Sequence, residues 1–225
     1  MTPGQNNNRE PASPKKGHMS SSKSRGFTLL EAMIAMSIVM IVSGISFMSL
    51  RPAWQDARLN AGYNGTLMTL RQARQWAIDN RKTYLVTFNP AGTPAGTNMI
   101  QTNRMDAGAV GPVVSQMTLP PDVQFLNLPG IPNTVASTPD GLGTGSKPYQ
   151  FDVGVAAGVA NQVYFFPDGS ARDVNNNINN GVVYLARVDD LLSSRAITLI
   201  GAAGRIRGWR LYSGQAAGVP HWSQQ

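Results

Sequence analysis

Two hydrophobic rhythms divide the chain. Residues 32–50 form an uncharged, largely apolar run of 19 residues, the length a helix needs to cross the hydrocarbon core of a bilayer. Beyond it the apolar positions recur at three- and four-residue steps. Leu59, Tyr63, Leu67, Leu70, Ala73 and Ala77 fall on this spacing, with Arg58, Arg71, Arg74 and Arg81 between them. Such spacing gathers the apolar side chains on one helical stripe. Residues 27–80 therefore read as one long helix, apolar along 27–50 and amphipathic along 51–80. Pro52 has no amide hydrogen to give, so it is expected to kink or interrupt that helix. Gly44, Gly62 and Gly65 are further weak points.

From residue 82 the period shortens. Residues 83–88 are rich in β-branched and aromatic side chains and stop at Asn89-Pro90, which predicts a strand. Residues 123–128, 162–166, 182–188 and 196–200 read the same way. Nine prolines and eight glycines between residues 89 and 148 predict winding loops around short strands there. Pro167-Asp168-Gly169-Ser170 signals a turn directly after a strand, and the polar tract 175–180 a solvated hairpin tip. The residues beyond Leu211 are rich in glycine, alanine and glutamine and are expected to form a flexible tail. The expected fold class is α+β: a long N-terminal helix packed on a small antiparallel β-domain covering 81–225.

Charge gives the apolar run a direction. Residues 1–26 hold five basic residues and one acid out of a net +7, leaving about +3 on the remainder. Lys15, Lys16, Lys23 and Arg25 all precede the run, which predicts a cytoplasmic N-terminus and an exported C-terminal part. The order around Arg25 is unlike that of an ordinary secretory signal, where small residues for the peptidase follow the apolar stretch. Here a glycine, Gly26, precedes it, Phe27 opens it, and a single carboxylate, Glu31, lies four residues further on. Cutting after Gly26 leaves a new amine on Phe27 and retains the whole apolar segment. An acid inside a spanning helix is costly. Glu31 either stays wet near the interface or finds a cation, and the new amine of a neighbouring chain shifted by one turn would serve.

Gly26-Phe27-Thr28-Leu29-Leu30-Glu31 resembles the prepilin peptidase site of type IV pilins and type II secretion pseudopilins. The resemblance implies cleavage between Gly26 and Phe27 by a prepilin peptidase, methylation of the Phe27 amine, and assembly with other pilins or pseudopilins through Glu31 and the apolar helix. On that reading residues 1–26 are a leader that is removed, 27–50 the transmembrane and filament-core segment, and 51–80 its amphipathic continuation. The protein would sit in a bacterial inner membrane and enter a pilus or pseudopilus. Residues 67–78, the turn at 166–169 and a terminal hairpin over 196–212 together resemble the GspH/FimT minor pseudopilins. Those proteins lie at or near the tip of the filament, and the second family trait is carried by the same hairpin. Gly204-Arg205-Ile206-Arg207 resembles the Gly-Arg-x-Arg element of FimT-like minor pilins, which bind DNA.

On an extended strand Arg205, Arg207 and Trp209 share one face. Cations beside an aromatic ring suit a phosphate backbone with stacked bases, and Arg210 adds charge nearby. The alternative function is thus a DNA-binding minor pilin using this hairpin. Set against it, charges on an exposed edge strand also serve simply to discourage edge pairing.

Catalysis and cofactors find little support. The chain has no cysteine and two histidines, His18 and His221, too few for a histidine metal cluster or a Ser-His-Asp set. The stretch 141–147 lacks the spacing of a phosphate-binding loop. Asp168, Asp173, Asp189 and Asp190 lack calcium-loop spacing, so turn and cap roles are expected of them. No enzyme activity, cofactor or metal is expected.

Overall fold

A computed structural model of the protein describes residues 27–94, 97–134, 136–143, 147–153, 159–214 and 219–225. Gly26 and the rest of the basic leader lie outside the described residues. Among the described residues one α-helix, α1 (Leu29–Asn80), is followed by ten strands: β1 (Tyr84–Phe88), β2 (Met99–Asp106), β3 (Ala109–Thr118), β4 (Tyr149–Val153), β5 (Gln162–Phe165), β6 (Ala171–Arg172), β7 (Asn180–Arg187), β8 (Asp190–Ile200), β9 (Arg205–Tyr212) and β10 (His221–Gln224). The chain divides into two units, one ending at Met48 and the other running from Ser49 to Gln225.

In the first unit the apolar side chains of α1 are exposed, among them Phe27, Ile34, Met40 and Phe47. A helix apolar all round and covered by nothing of its own is built for lipid or for other helices. α1 continues through Pro52, so the expected interruption does not occur. The ring removes one backbone bond and the turns on either side carry the helix across.

The second unit is two five-stranded antiparallel sheets, ordered β3-β2-β1-β5-β6 and β10-β9-β8-β7-β4. The α1 residues read from the sequence as one stripe, Leu59, Tyr63, Leu67, Leu70, Ala73 and Ala77, are all buried. They share one core with Val86, Phe88, Ile100 and Phe165 of the first sheet and with Val183, Leu185, Ile197 and Leu199 of the second. Phe88 stacks on Phe151 at 5.2 Å between ring centres and meets Phe125 edge-on at 5.5 Å. One long helix followed by two antiparallel sheets makes this an α+β fold, consistent with the pilin-like class expected from the sequence.

The second sheet is buried on both faces. Its outward residues Val182, Tyr184, Ala196 and Leu211 form another core with Ile131, and with the partly buried Leu142, Trp209 and Trp222. The loop carrying Ile131 and Leu142 lies over that face, which explains why Asn180–Arg187 reads as a nearly continuous apolar run.

Three sequence expectations need correction. The stretch expected to be winding loops contains the longest hairpin of the first sheet, β2–β3. It is interrupted by register shifts at Thr102/Asn103 and Asn103/Met105, and Pro112 is tolerated because β3 is an edge. Residues 123–128 form no strand; Gln124 makes a single bridge to Ala186, and the side chains of Val123 and Phe125 fill the core. The C-terminal residues are not simply a tail, since β10 pairs with β9 through His221↔Tyr212, Trp222↔Leu211, Ser223↔Arg210 and Gln224↔Trp209.

Candidate functional site

At the processing end, α1 begins just after Thr28. Thr28 Oγ1 accepts the Glu31 backbone N–H at 3.2 Å, which makes Thr28 the N-cap. Thr28-Leu29-Leu30-Glu31 has the spacing of a capping box, in which the acid sits at the third helical position. This signal was available in the sequence and not read there. The helix start is therefore written into the same residues that carry the processing motif. Glu31 lies in the first turn, where a negative charge is favoured by the helix dipole. Phe27 and Glu31 are both exposed.

At the other end, β8 and β9 form the expected hairpin, with Ile200 opposite Arg205, Thr198 opposite Arg207 and Ala196 opposite Trp209. Gly204 closes the turn at φ +57°. A Cβ there would lie 1.9 Å from the Gly169 carbonyl oxygen and 2.6 Å from Arg74 Nε. Only glycine allows both this backbone conformation and this approach, so the glycine of the Gly-Arg-x-Arg element has a packing reason.

The four side chains singled out on β9 have different surroundings. Arg205 is exposed at the strand's start. Arg207 Nη1 donates to Asp140 Oδ1; the other oxygen of Asp140 accepts from Thr198 Oγ1. Trp209 Nε1 in turn donates to Thr198 Oγ1 at 3.0 Å. Asp140 occupies the left-handed region at φ +54°, within a single 3-10 turn at Pro139–Gly141. Arg207 and Trp209 thus share one face with Arg205, as expected, but they are engaged by the loop that covers the sheet. Arg210 faces the other way and its guanidinium lies 5.2 Å over the Tyr212 ring.

Arg195, opposite Arg210, is only 3% exposed. Its Nη1 donates to the carbonyl oxygens of Leu192, Ser193 and Ser194 at 3.1–3.3 Å. Burial, reinforced by the Arg210 charge, pulls its pKa down to about 10. Arg195 is thus a buried structural cation. In the turn before β6, hydrogen bonds from Ser170 hold the Asp168 carboxyl below its ordinary range, and Arg172 adds to this.

A cationic cleft not expected from the sequence lies between α1 and the β8–β9 turn. Arg71, Arg74, Gln75, Ala203, Gly204, Arg205 and Ile206 line an open space of about 460 Å³ with no acid among them. Arg74 is pinned across it, donating from Nε to Gly169 O at 3.0 Å and from Nη2 to Ala203 O at 3.1 Å. The available signal was the Arg71/Arg74 pair three apart on the helix, but its closeness to Arg205 depends on tertiary packing.

Residues 21–47 match the prokaryotic N-terminal methylation motif. That motif covers the end of the basic leader and the first part of α1, and it supports a type IV pilin-like protein, the kind that a prepilin peptidase processes. No curated protein and no solved structure matches the chain. The motif points to a structural subunit that assembles with other pilins in a membrane, and not to an enzyme family.

Proposed function

We propose that the protein is a minor pilin or pseudopilin of the GspH/FimT kind, cut between Gly26 and Phe27, methylated on the Phe27 amine, and assembled from the inner membrane through α1. In this reading the N-terminus is cytoplasmic and residues 49–225 are extracytoplasmic. The methylation motif at residues 21–47 carries the proposal. The β-unit supports a minor role: loops and bulges interrupt its sheets, and a heavily repeated building block would favour a more regular surface. Quantitative mass spectrometry of sheared fibres tests it. The expected result is this chain at a small fraction of the most abundant pilin, with fewer fibres or less export when its gene is deleted. Absence from fibres, or dominance in them, would contradict it.

A second reading, DNA binding by the same subunit, is favoured by the acid-free cleft of Arg71, Arg74 and Arg205. A phosphate backbone suits such a cleft, and binding carried by so few cations falls steeply with salt. Purified chain should bind labelled duplex at low salt. Arg71→Ala/Arg205→Ala should then weaken binding more than Arg207→Ala does, because Arg207 is already neutralised by Asp140. Equal binding by wild type and the double variant would remove this reading.

A further inference from the structure

The apolar run has a marked end. Arg51 follows it directly, and Trp54 lies three residues further along the same helix. The four tryptophans of the chain are Trp54, Trp76, Trp209 and Trp222. The last three are partly buried within the β-unit, whereas Trp54 is 64% exposed. An exposed indole at the boundary of a bilayer-length run has the chemistry of an interfacial anchor. Its ring prefers the headgroup level.

The spacing agrees with that placement. At about 1.5 Å per residue, the helix rises about 30 Å between Glu31 and Arg51 and about 35 Å between Glu31 and Trp54. The hydrocarbon core is about 30 Å thick. Seating Trp54 among the headgroups on one side therefore leaves Glu31 at the opposite interface, where its carboxylate stays hydrated. Sliding the helix by a single turn would draw Glu31 into hydrocarbon or pull Leu50 and Phe47 into water.

We infer that Trp54 forms a phospholipid-headgroup anchor that fixes the depth of α1 in the bilayer and so keeps Glu31 hydrated until assembly. The anchor requires only that the apolar run lie in a bilayer; it does not depend on which filament the protein joins. It predicts that the span resists sliding for as long as residue 54 carries an amphipathic aromatic ring.

The test uses the full chain in phosphatidylethanolamine–phosphatidylglycerol vesicles, brominated on the acyl chains either next to the headgroup or near the methyl end. Headgroup-side bromine should quench tryptophan emission more than deep bromine, and Trp54→Phe should abolish the difference. Because the chain has no cysteine, Leu50→Cys adds a second readout. Its thiol should resist a charged maleimide, become reactive when combined with Trp54→Ala, and be protected again with Trp54→Tyr. Stronger quenching by deep bromine, quenching unchanged by Trp54→Phe, or equal labelling of all three thiol variants would overturn the anchor. In each of those cases the pilin reading stands if the chain still enters fibres. A chain that never partitions into the vesicles would overturn the anchor and the membrane-embedded helix together.

Discussion

Glu31→Gln is expected to leave cleavage of the leader intact and to reduce incorporation into fibres by about a hundredfold or more. The physical basis is the pairing proposed for assembly. In that pairing a newly made Phe27 amine would meet the Glu31 carboxylate of a neighbouring chain shifted by one helical turn, and packing α1 helices together would remove both from water. Removing one member of a desolvated pair leaves its partner uncompensated, at a cost of about 3–5 kcal/mol. A glutamine can accept a hydrogen bond but carries no charge. Its amide also keeps the size of the side chain, and the Thr28 cap uses the backbone N–H of residue 31 and so survives the change. The check is the amount of chain in sheared fibres relative to the membrane pool, alongside an immunoblot for leader removal. Unchanged incorporation would mean that Glu31 serves only the helix terminus.

Gly208→Ala should strongly destabilise the β-unit. A Cβ at this position would lie 1.6 Å from the Tyr63 hydroxyl oxygen, 2.8 Å from its Cζ and 3.2 Å from Leu67 Cδ1. Tyr63 is 8% exposed and held in the main core, so the ring cannot swing out to water without exposing that core. Overpacking of this kind costs about 3 kcal/mol, which for a unit of this size lowers the Tm by about 10 °C. Tyr63→Phe removes the closest atom but not the ring carbon at 2.8 Å, so it should recover part of the loss, with a coupling of about 1 kcal/mol. Thermal unfolding of the four chains followed by circular dichroism measures this cycle. Wild-type stability in Gly208→Ala would show that β9 does not pack on α1 at this point.

How much was legible depended on whether the controlling contacts are local. The stripe from Leu59 to Ala77 repeats at helical spacing, and its burial follows directly. β1, β5, β7, β8 and β9 carry β-branched and aromatic runs and were readable for the same reason. β2 alternates less clearly, with Gln101-Thr102-Asn103-Arg104 in its middle, and its partner contains Pro112. That hairpin is stabilised by pairing across the turn more than by any local preference, and its bulges break the two-residue period further. Residues 123–128 show the opposite failure: their apolar side chains do fill the core, but the backbone makes only one bridge. β10 is four residues long and owes its existence to the edge offered by β9.

The terminal site was half legible. Alternation along β9 correctly placed Arg205, Arg207 and Trp209 on one face. It could not show that Asp140, 67 residues earlier, neutralises Arg207, nor that a loop would cover a face expected to meet solvent. Likewise nothing local announces that Arg71 and Arg74 of α1 line a cleft with Arg205. At the N-terminal end the methylation motif was legible in the sequence, and the missed detail was the Thr28 cap.

Intact-mass analysis of the protein recovered from cells that express their own prepilin peptidase tests the central claim most directly. The account predicts a chain lacking residues 1–26, beginning at Phe27 and carrying one methyl group on its amine, with the apolar segment 32–50 retained. A chain that still begins at Met1, or one trimmed beyond Leu50 as an ordinary secretory signal would be, would contradict it.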